Sequence, residues 1–473
     1  MGLYNILDRH VLLPVADLAY GSEIARQWKA LRRTEFLPYM DILELQNAKL
    51  RKLIKHCYDS VPYYRRLFDD LGLRPDDIQN KEDLSKLPVL TKQIIRDHYD
   101  EMFSTSVNPK RFRKSSTGGS TGTPLQFCTD NNEWSFQRAS SLRAWESYGL
   151  LLGDKIFSFG GNSISQKKNA ISLKNIYDRV IMRNYKYNSS EVDDASLERH
   201  LESFKKIHPC AVRGYGSSLA IFARFIKETG YKPSGIKVVL TTGEVLMPNY
   251  RKELEEVFSA PVFDAYGAGD GGIVSHECDK HNGLHITEEL CVIEITNKEG
   301  DVLPDGERGF VTTTDLENYA FPFIRYHVGD MSYIKKEPCS CGRHTRQFGE
   351  VMGRAGKLLY NKQGVPISPT MLPIMLYPNL DYHCVENQFL YNTIDRFQIR
   401  QDGVGDIQIL LKMKNGIIDT AYKESIIDNY KRHFVGSNVT LMIVDDIPLL
   451  PSGKEDYCVS DYNLFDNIEK VKM

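Results

Sequence analysis

Between residues 150 and 275, short β-rich runs alternate with loops of small residues and with helical patterns. AVRGYGSS precedes LAIFARFIKETG, KVVLTTGE precedes PNYRKELEEVFS, and PVFDAYGAGDGG follows. Strands that alternate with helices predict an α/β domain with a largely parallel sheet. Ligands of such sheets bind where loops leave the carboxyl ends of the strands. We therefore expect these three loops to be neighbours and to form a site.

The segment before this alternation is predicted to be helical. Within residues 40–100, four apolar residues recur at i, i+3, i+4 and i+7 beside lysines and arginines, which indicates a helix with one buried face. These residues are Leu50, Leu53, Ile54 and Cys57. Pro62 ends that unit, and Thr91 is a suitable N-cap for a later helix in LPVLTKQIIRDHYDEMF. We expect a helical lobe that packs against another part of the protein.

The segments after residue 290 predict a different architecture. CVIEIT and GFVTTTDL, separated by the turn NKEGD, read as antiparallel strands. From about residue 357 onwards, β runs such as DIQILLKM alternate with a helix around AYKESIIDNYKRHF. The pattern fits a small, separate α+β domain at the C-terminal end.

Length and charge exclude several classes of function. A chain of 473 residues is too long for one core, because single cores stop growing near ~250–300 residues. The 60 Lys and Arg against 62 Asp and Glu give a net charge of −2, so the basic excess of a nucleic-acid-binding protein is missing. No apolar run approaches the ~20 residues of a transmembrane helix. We expect small-molecule partners.

The N-terminus and the cysteines indicate the compartment. The first 23 residues carry Asp8, Arg9 and Asp17 within their apolar stretch and lack the order of a secretory signal. The chain has nine cysteines, and this odd, ordinary number argues against a disulfide framework. We therefore expect a cytoplasmic protein.

The strongest local signal is SSTGGSTGTP, residues 115–124. Its glycines and small hydroxyl residues let backbone N–H and side-chain O–H groups surround phosphate oxygens. The loop is not a Walker A motif, since GxxxxGK[ST] and its lysine are missing. The composition by itself fits a flexible loop equally well, so the phosphate interpretation depends on the motifs that follow.

Five further motifs follow this loop in order. They are Thr242-Gly243-Glu244, Asp264-Ala265-Tyr266-Gly267-Ala268-Gly269-Asp270, the run from Phe321 to Asp330, Gly353-Arg354 and Pro451-Ser452-Gly453-Lys454. Together they resemble the adenylate-forming superfamily of acyl-CoA synthetases, in the branch of phenylacetate–CoA ligase and the CapK-like capsular polysaccharide proteins. The resemblance covers nearly the whole chain. It implies an α/β fold with a large N-terminal domain for ATP and the acyl substrate, residues 1–355, and a small mobile α+β lid domain, residues 356–473.

The resemblance also implies the reaction. In this family a carboxylate attacks the α-phosphorus of ATP, pyrophosphate leaves, and the acyl-adenylate passes its acyl group to an acceptor, most often the thiol of CoA. The protein contributes positioning and charge stabilisation to such steps. The implied partners are a small carboxylic acid, ATP with Mg²⁺, and CoA. Self-association into a homodimer is left open.

The resemblance assigns roles to individual residues. Tyr266 matches the residue that stacks on adenine, and Asp330 matches the carboxylate that binds the ribose hydroxyls. Arg354 matches an arginine near the ribose and phosphate. Lys454 matches the catalytic lysine, a point charge for the oxygens between the substrate carboxylate and the α-phosphate. The phosphate loop and the adenine walls are matched by Thr117, Gly118, Gly119, Ser120, Thr121, Gly122, Gly243, Glu244, Asp264, Ala265 and Gly267.

Three positions depart from the family pattern. Thr123 stands where the phosphate loop usually carries a lysine. Asp270 stands where a glutamate usually helps to hold Mg²⁺, and it is one methylene shorter. At the hinge after Arg354 an aspartate is common, whereas this chain has Ala355-Gly356-Lys357. Gly356 still supplies the backbone freedom that a hinge needs.

A separate group of cysteines and histidines predicts a structural zinc site. CDKHNGLH, residues 278–285, and the CxC of residues 339–341 offer thiolates and an imidazole for tetrahedral Zn²⁺. Some relatives in the branch carry such a zinc, and the matching positions here are Cys278, His285, Cys339 and Cys341. His281 is a competing ligand, and free cysteines on separate loops are the alternative.

Three questions of function stay open in the sequence. The acid pocket is expected from residues 136–162, 213–218 and 242–246, where no charge clearly selects one class of acid. The acceptor is CoA or, in a capsule-type role, an amine or hydroxyl of a sugar or amino acid. A third interpretation is a nucleotide-binding module that has lost catalysis, with Thr123, Asp270 and the hinge as signs of decay.

Overall fold

The structure, a computed structural model, describes residues 2–116, 125–160, 177–189, 194–354, 359–362, 366–367, 372, 375–376, 393–403, 405–414, 418–450 and 455–460. Its N-terminal part is helical, as predicted. The α-helices are α1 Leu3–Leu7, α2 Leu13–Tyr20, α3 Ile24–Thr34, α4 Tyr39–Ser60, α5 Pro62–Asp70 and α6 Lys92–Asp97. A π-helical turn joins α1 to α2 over Asp8–Leu12, and 3₁₀ turns cover Pro75–Asp77, Glu82–Lys86, Tyr99–Met102 and Pro109–Arg111.

Local sequence explains the bounds of these helices. The four stripe residues of α4, Leu50 to Cys57, are all completely buried, which confirms the predicted face. Helix α4 ends at Ser60, and Pro62 occupies the first turn of α5, where its missing N–H costs nothing. The hydroxyl of Thr91 accepts a hydrogen bond from the backbone N–H of Ile94 at 3.3 Å, so the predicted N-cap is confirmed.

The predicted parallel sheet forms the centre of the chain. Strands β1 Arg113–Ser116 and β2 Gln126–Thr129 form a hairpin, and helix α7 Asn131–Ser147 follows them. The central sheet then collects β3 Ile156–Gly160, β4 Asn184–Asn188, β5 Ala211–Gly214, β6 Val238–Thr242, β7 Val262–Ala268, β8 Ile273–His276, β9 Leu284–Ile286 and β13 Gln347–Phe348. Its order is β13-β9-β8-β7-β6-β5-β3-β4. The neighbouring strands β4, β3, β5, β6 and β7 run parallel to one another. The pairs β7–β8, β8–β9 and β9–β13 are antiparallel.

Helices cover both faces of the central sheet. Helices α3 and α7 pack on one face, where Leu142, Leu240 and Phe263 share a core. On the other face lie α8 Asp194–Ile207, α9 Gly216–Glu228 and α10 Pro248–Phe258, with a core that includes Phe157, Phe204 and Leu254. A π-helical turn at Tyr177–Ile181 precedes β4. Because β5, β6 and β7 are adjacent, the loops predicted to be neighbours leave the same edge.

A second, antiparallel sheet confirms the strands predicted after residue 290. It contains β10 Cys291–Thr296, β11 Gly309–Asp315, β12 Tyr326–Ser332 and β14 Gly353–Arg354 in the order β10-β11-β12-β14. The helices α4 and α5 pack against it, so the expected helical lobe has its partner. Gln46 of α4 donates to the carbonyls of Glu288 and Cys291, which joins the two parts through buried hydrogen bonds.

The C-terminal part has its own sheets and its own core. Strands β15 Leu359–Tyr360 and β16 Pro366–Ile367 pair, and β17 Ile394–Gly403, β18 Asp406–Met413, β19 Asn438–Ile443 and β20 Cys458–Ser460 form a sheet of order β19-β18-β17-β20. Helix α11, Thr420–His433, covers it with Ile426 and Tyr430 in the core. A small α+β unit at this end is therefore confirmed. The boundary between residues 355 and 356 stays a prediction, because residues 355–358 lie outside the described ranges.

The helices give no indication of a membrane span. Among the residues that the structure describes, none of the helices combines the length and apolarity that crossing a bilayer requires.

Candidate functional site

The carboxyl edge of the central sheet carries the first group of predicted residues. Strand β6 ends at Thr242, and Gly243 turns the chain with a φ of +82°, a conformation that favours glycine. The carboxylate of Glu244 then accepts hydrogen bonds from the backbone N–H of Ser217 and from its hydroxyl at 3.1 Å. Glu244 thereby holds the start of α9, where a negative charge is favourable.

Asp264 lies one strand further along the same edge. The Thr241 hydroxyl donates to Asp264 Oδ1 at 2.7 Å, and the backbone N–H of Asp264 donates to Glu277 Oε2 at 2.9 Å. Glu277 is itself paired with Arg251 at 2.7 Å. Burial raises the pKa of Asp264 to about 7, and the Glu277 charge adds to the rise while the Thr241 hydrogen bond opposes it. Asp264 is thus poised between its two protonation states near neutral pH.

Two predicted nucleotide residues from different sheets meet in a hydrogen bond. The Tyr266 hydroxyl, on β7, donates to Asp330 Oδ2, on β12, at 2.8 Å. The Tyr266 ring also packs edge-on against Phe348 at 5.5 Å between ring centres. Asp330 is opposite Arg354 in the β12–β14 register. Asp330 thus contacts Tyr266 through its side chain and lies opposite Arg354 through its backbone.

Asp270, the predicted Mg²⁺ ligand, is buried in the turn between β7 and β8. Its Oδ2 accepts a hydrogen bond from the Tyr326 hydroxyl at 2.8 Å and lies 4.0 Å from Lys92 Nζ. Gly272, two residues after Asp270 in the same turn, has a φ of +71°. A Cβ at this position would lie 2.6 Å from the Asp315 carboxyl carbon. Only glycine lets this turn come so close to β11.

Arg325 is a buried residue of the motif from Phe321 to Asp330 that the sequence did not single out. It is buried, and its guanidinium pairs with Glu294 at 3.0 and 3.1 Å. It also donates to the carbonyls of Leu87 at 2.6 Å and Gly300 at 2.7 Å. A charged residue within an otherwise apolar run was the available signal. Arg325 joins β10, the N-terminal lobe and the start of β12, the strand that carries Asp330.

The predicted metal ligands form one cluster. The donor atoms of Cys278, His285, Cys339 and Cys341 all lie within 4.8 Å of one another. The sulfurs of Cys278 and Cys339 are 3.5 Å apart, and Cys341 Sγ is 3.2 Å from His285 Nε2. In a tetrahedral site with Zn–S bonds of ~2.3 Å, sulfurs stand roughly 3.8 Å apart. The donor set and its spacing therefore fit a single zinc ion.

The structure distinguishes between the two competing histidines. The Nδ1 of His285 is 3.0 Å from the Thr345 hydroxyl, an arrangement that turns Nε2 towards Cys341. Burial lowers the pKa of His285 to about 4, so its ring is neutral and offers a lone pair. His281 instead bonds Glu277 through Nδ1 at 3.1 Å, and its ring centre lies 4.9 Å from that of Phe263. Within the described residues, His285 and not His281 joins the three thiols.

Part of the predicted site lies outside the described residues. This concerns Thr117, Gly118, Gly119, Ser120, Thr121, Gly122 and Lys454, the side chain of Arg354, and the hinge residue Gly356. The strands β1 and β2 that flank the phosphate loop pair from Arg113 with Thr129 to Ser116 with Gln126. Glu455, the neighbour of Lys454, accepts a hydrogen bond from the Tyr250 hydroxyl of α10. Ala265 and Gly267 lie on β7 between Asp264 and the β7–β8 turn.

Comparisons with known proteins agree with the resemblance inferred from the motifs. No family model matches the chain. Phenylacetate-coenzyme A ligase of Thermus thermophilus is 26% identical over 356 residues, which cover 72% of this chain and 76% of the relative. Protein CapK of Staphylococcus aureus is 24% identical over 432 residues, which cover 89% of this chain and 90% of CapK. A structure of 2-hydroxyisobutyryl-CoA ligase in the postadenylation state matches with a TM-score of 0.73 at 17% identity, over 93% of this chain and 94% of that one.

These comparisons confirm two predictions. The chain resembles phenylacetate–CoA ligases and CapK over most of its length. Its fold is that of the adenylate-forming CoA ligases, an α/β architecture with a large N-terminal part and a small C-terminal one.

Proposed function

We propose that this chain, which has the fold of the adenylate-forming CoA ligases and resembles phenylacetate–CoA ligase and CapK, activates a carboxylic acid with ATP. The chain is an AMP-forming acid–CoA ligase. A substrate carboxylate attacks the α-phosphorus, and the bond to pyrophosphate breaks. The CoA thiolate then attacks the acyl carbon of the adenylate and AMP leaves.

One observation carries the proposal. Tyr266 and Asp330 belong to two separate motifs and are 64 residues apart in the chain, yet they share a hydrogen bond of 2.8 Å. Glu244 and Asp264 lie at the same edge of the central sheet, where an α/β fold binds its ligands. In the proposed complex the carboxylate of Asp330 binds the ribose hydroxyls and Tyr266 borders the adenine.

Asp270 fits a role as protein ligand for the Mg²⁺ that accompanies ATP. A carboxylate offers about four lone-pair positions, so the hydrogen bond from Tyr326 is compatible with a bound cation. When bound, Mg²⁺ neutralises phosphate charge during the attack. The chain's own contribution is to hold the Asp270 carboxylate in one orientation through Tyr326 and the tight turn at Gly272.

Lys454 is the proposed catalytic cation. Its neighbour Glu455 bonds Tyr250 of α10, and Tyr457 packs against the core on that face of the central sheet. This contact supports an approach of the C-terminal segment to the nucleotide edge. A lysine there would stabilise the negative charge that develops between the carboxylate and the α-phosphate. Rotation of the C-terminal unit between the two half-reactions is part of the proposal.

ATP–pyrophosphate exchange tests the assignment of Lys454. We expect Lys454→Ala to lower exchange by at least about a hundredfold, while ATP binding in titration calorimetry stays measurable. Lys431→Ala, on the exposed face of α11, is the matched control and should exchange normally. Full exchange in Lys454→Ala would refute the assignment. Absence of exchange with every acid, despite ATP binding, would favour a nucleotide-binding module without catalysis.

The acceptor has a second candidate. The resemblance to CapK extends over 89% of this chain, against 72% for the phenylacetate–CoA ligase of Thermus thermophilus. An amine or hydroxyl of a sugar or amino acid is therefore the alternative to CoA. Hydroxylamine trapping measures acyl-adenylate formation, and thioester formation with added CoA is then followed by mass spectrometry. Adenylation without any thioester product would favour the alternative.

A structural zinc ion is the second part of the proposal. It would be held by Cys278, His285, Cys339 and Cys341 and would join the turn after β8 to the loop before β13. We expect about one equivalent of zinc in purified protein, less than half of that in Cys341→Ser, and a lower melting temperature in that variant. Cys210→Ser, outside the cluster, is the matched control. Zinc content below half an equivalent in unmodified protein never exposed to chelator would refute the site.

The proposed compartment is the cytoplasm. None of the eight cysteines among the described residues forms a disulfide, as expected in a reducing environment. Fractionation of cells that express the full chain would test this.

A further inference from the structure

The central sheet carries a half-buried arginine that the nucleotide site does not use. Arg213 is the third residue of β5 and lies opposite Ser158 on one side and Leu240 on the other. Alternation along β5 puts Arg213 on the same face as Ala211, the face covered by α7. A guanidinium here enters a layer to which Leu142, Leu240 and Phe263 contribute apolar side chains.

A second arginine approaches from the covering helix. Arg138 lies on α7, and the residues at i−4 and i+7 on the same face are Trp134 and Trp145. The guanidinium carbon of Arg138 is 5.6 Å from the Trp134 ring centre, and that of Arg213 is 5.9 Å from the Trp145 ring centre. Arg213 therefore reaches from the sheet to α7, and each of the two arginines lies beside a tryptophan ring of that helix.

The charge of these arginines is not balanced within the described part of the chain. Neither guanidinium has a hydrogen-bond or ion-pair partner there, although both side chains are half-buried. The carboxylate that acts on Arg213 is Asp178, and this group already pairs with Lys186 at 2.6 Å. Residues 161–176, which follow β3 in the chain, contain three lysines and no aspartate or glutamate.

The surroundings disfavour the positive charge of Arg213. Burial and the neighbouring Arg138 lower the pKa of Arg213 to about 10, so the group stays charged at neutral pH at an energetic cost. His276 on β8 faces the same layer, and burial together with Arg143 and Arg213 lowers its pKa to about 3. Half-buried cations that repel one another and lack a counter-charge among the described residues mark a site for an anion.

The arginine pair lies next to the proposed nucleotide edge. Gly214 follows Arg213 and ends β5, and Ser217, a few residues on, bonds Glu244. Gly214 is also required for close packing, because a Cβ there would come within 2.0 Å of the Phe159 carbonyl oxygen. Arg138 and Arg213 belong to two of the three segments expected to form the acid pocket. In the sequence, neither arginine stood out as a residue that selects the acid. In the fold, both lie beside tryptophan rings of α7.

We propose that Arg138 and Arg213 bind a second anionic group of the acid substrate, so that this chain activates dicarboxylic acids in preference to monocarboxylic ones. The inference rests on the proposed function and names the substrate class of that same site. One carboxylate of the substrate attacks ATP, and the other stays unreacted in charge-assisted hydrogen bonds with the two guanidiniums. Trp134 and Trp145 border the spacer between the two carboxylates.

Exchange of ATP and pyrophosphate with matched acid pairs tests the inference. Adipate is compared with 6-methylheptanoate, and 4-carboxyphenylacetate with 4-isopropylphenylacetate, because an isopropyl group has the shape of a carboxylate without its charge. We expect kcat/KM to favour at least one diacid over its partner by about tenfold or more. In Arg213→Met the rate with the diacid should fall about ten- to a hundredfold, mainly through a higher KM, while the monoacid and the KM for ATP change little.

Further variants separate binding of the second carboxylate from a structural role. Arg213→Lys keeps the charge and should retain more of the diacid preference than Arg213→Met, and Arg138→Met should weaken the same preference if Arg213→Met fails to fold. Lys227→Met, an exposed lysine on α9 paired with Glu256, is the control and should match the unmodified protein. Parallel loss with both members of each pair, or a change confined to the KM for CoA, would overturn the inference. No exchange with any acid would overturn the proposed function as well, whereas exchange without diacid preference would overturn the inference alone.

Discussion

Replacing Arg325 with methionine should destabilise the N-terminal part of the protein strongly. The side chains of Arg325 and Glu294 are 3% and 7% exposed, and two contacts of 3.0 and 3.1 Å join them. Methionine fills a similar volume but leaves the Glu294 carboxylate without its cation. It also leaves the carbonyls of Leu87 and Gly300 without their donors.

The size of the effect follows from which groups are left alone. Removing one partner of a buried ion pair costs about 3–5 kcal/mol, because the remaining charge has no water around it. Burial already raises the pKa of Glu294, and the Arg325 charge opposes that rise. Without Arg325 the pKa rises further, so the folded variant binds a proton that the unfolded chain releases at neutral pH. The loss of stability should therefore be greater at pH 8 than at pH 5.

Urea unfolding followed by tryptophan fluorescence measures this loss. Arg65→Met is the matched control, because the Arg65–Asp69 pair is 51% and 46% exposed and should contribute less than about 1 kcal/mol. The double variant Arg325→Met/Glu294→Met should recover part of the stability, since it removes the unpaired carboxylate. A single variant within about 1 kcal/mol of the unmodified protein, or a double variant no more stable than Arg325→Met, would refute the reasoning.

Three further predictions concern the nucleotide edge. Tyr266→Phe removes the hydroxyl that bonds Asp330 and should raise the KM for ATP about three- to tenfold; an unchanged KM in exchange assays would contradict the role of this pair. For Asp264 the folded pKa of about 7 lies above the unfolded 3.8, so its contribution to stability is lost as the pH rises, by about 2.5 kcal/mol between pH 5 and 8. Asp264→Asn should lack this part of the pH dependence in urea titrations, and an identical slope would contradict it. Gly272→Ala should cost at least about 2 kcal/mol, because the added Cβ meets Asp315; a melting temperature equal to that of the unmodified protein would contradict the close approach.

Local sequence patterns were sufficient to predict most of the helices and strands named in the sequence analysis. The apolar stripe of α4, the N-cap at Thr91 and the strand DIQILLKM appear in the structure as predicted, because each depends on neighbours in the chain. The parallel order of β5, β6 and β7 also followed, since a strand–helix–strand unit returns beside its first strand. The order of motifs along the chain was enough to indicate the adenylate-forming fold.

Such local patterns did not predict which side chains contact one another. Cysteines and histidines with suitable spacing are visible in the chain, but whether His281 or His285 joins them depends on the strand pairing of β9 with β13. Likewise, nothing in the motif around Arg325 indicates that Glu294 is its ion-pair partner. These contacts join residues far apart in the chain, so no local periodicity encodes them.

The chain alone thus specified its elements, their order, its family likeness and the candidate ligands, because propensity, periodicity and motif order are local or sequential properties. Packing decided which side chains share a hydrogen bond, which ones surround a candidate metal site, and which charges have no partner among the described residues. Tyr266 meets Asp330, and Arg213 meets Trp145, only because sheet register and helix placement bring distant segments within a few ångströms. Burial at those places then shifts pKa values and removes water, which gives the contacts their chemical meaning.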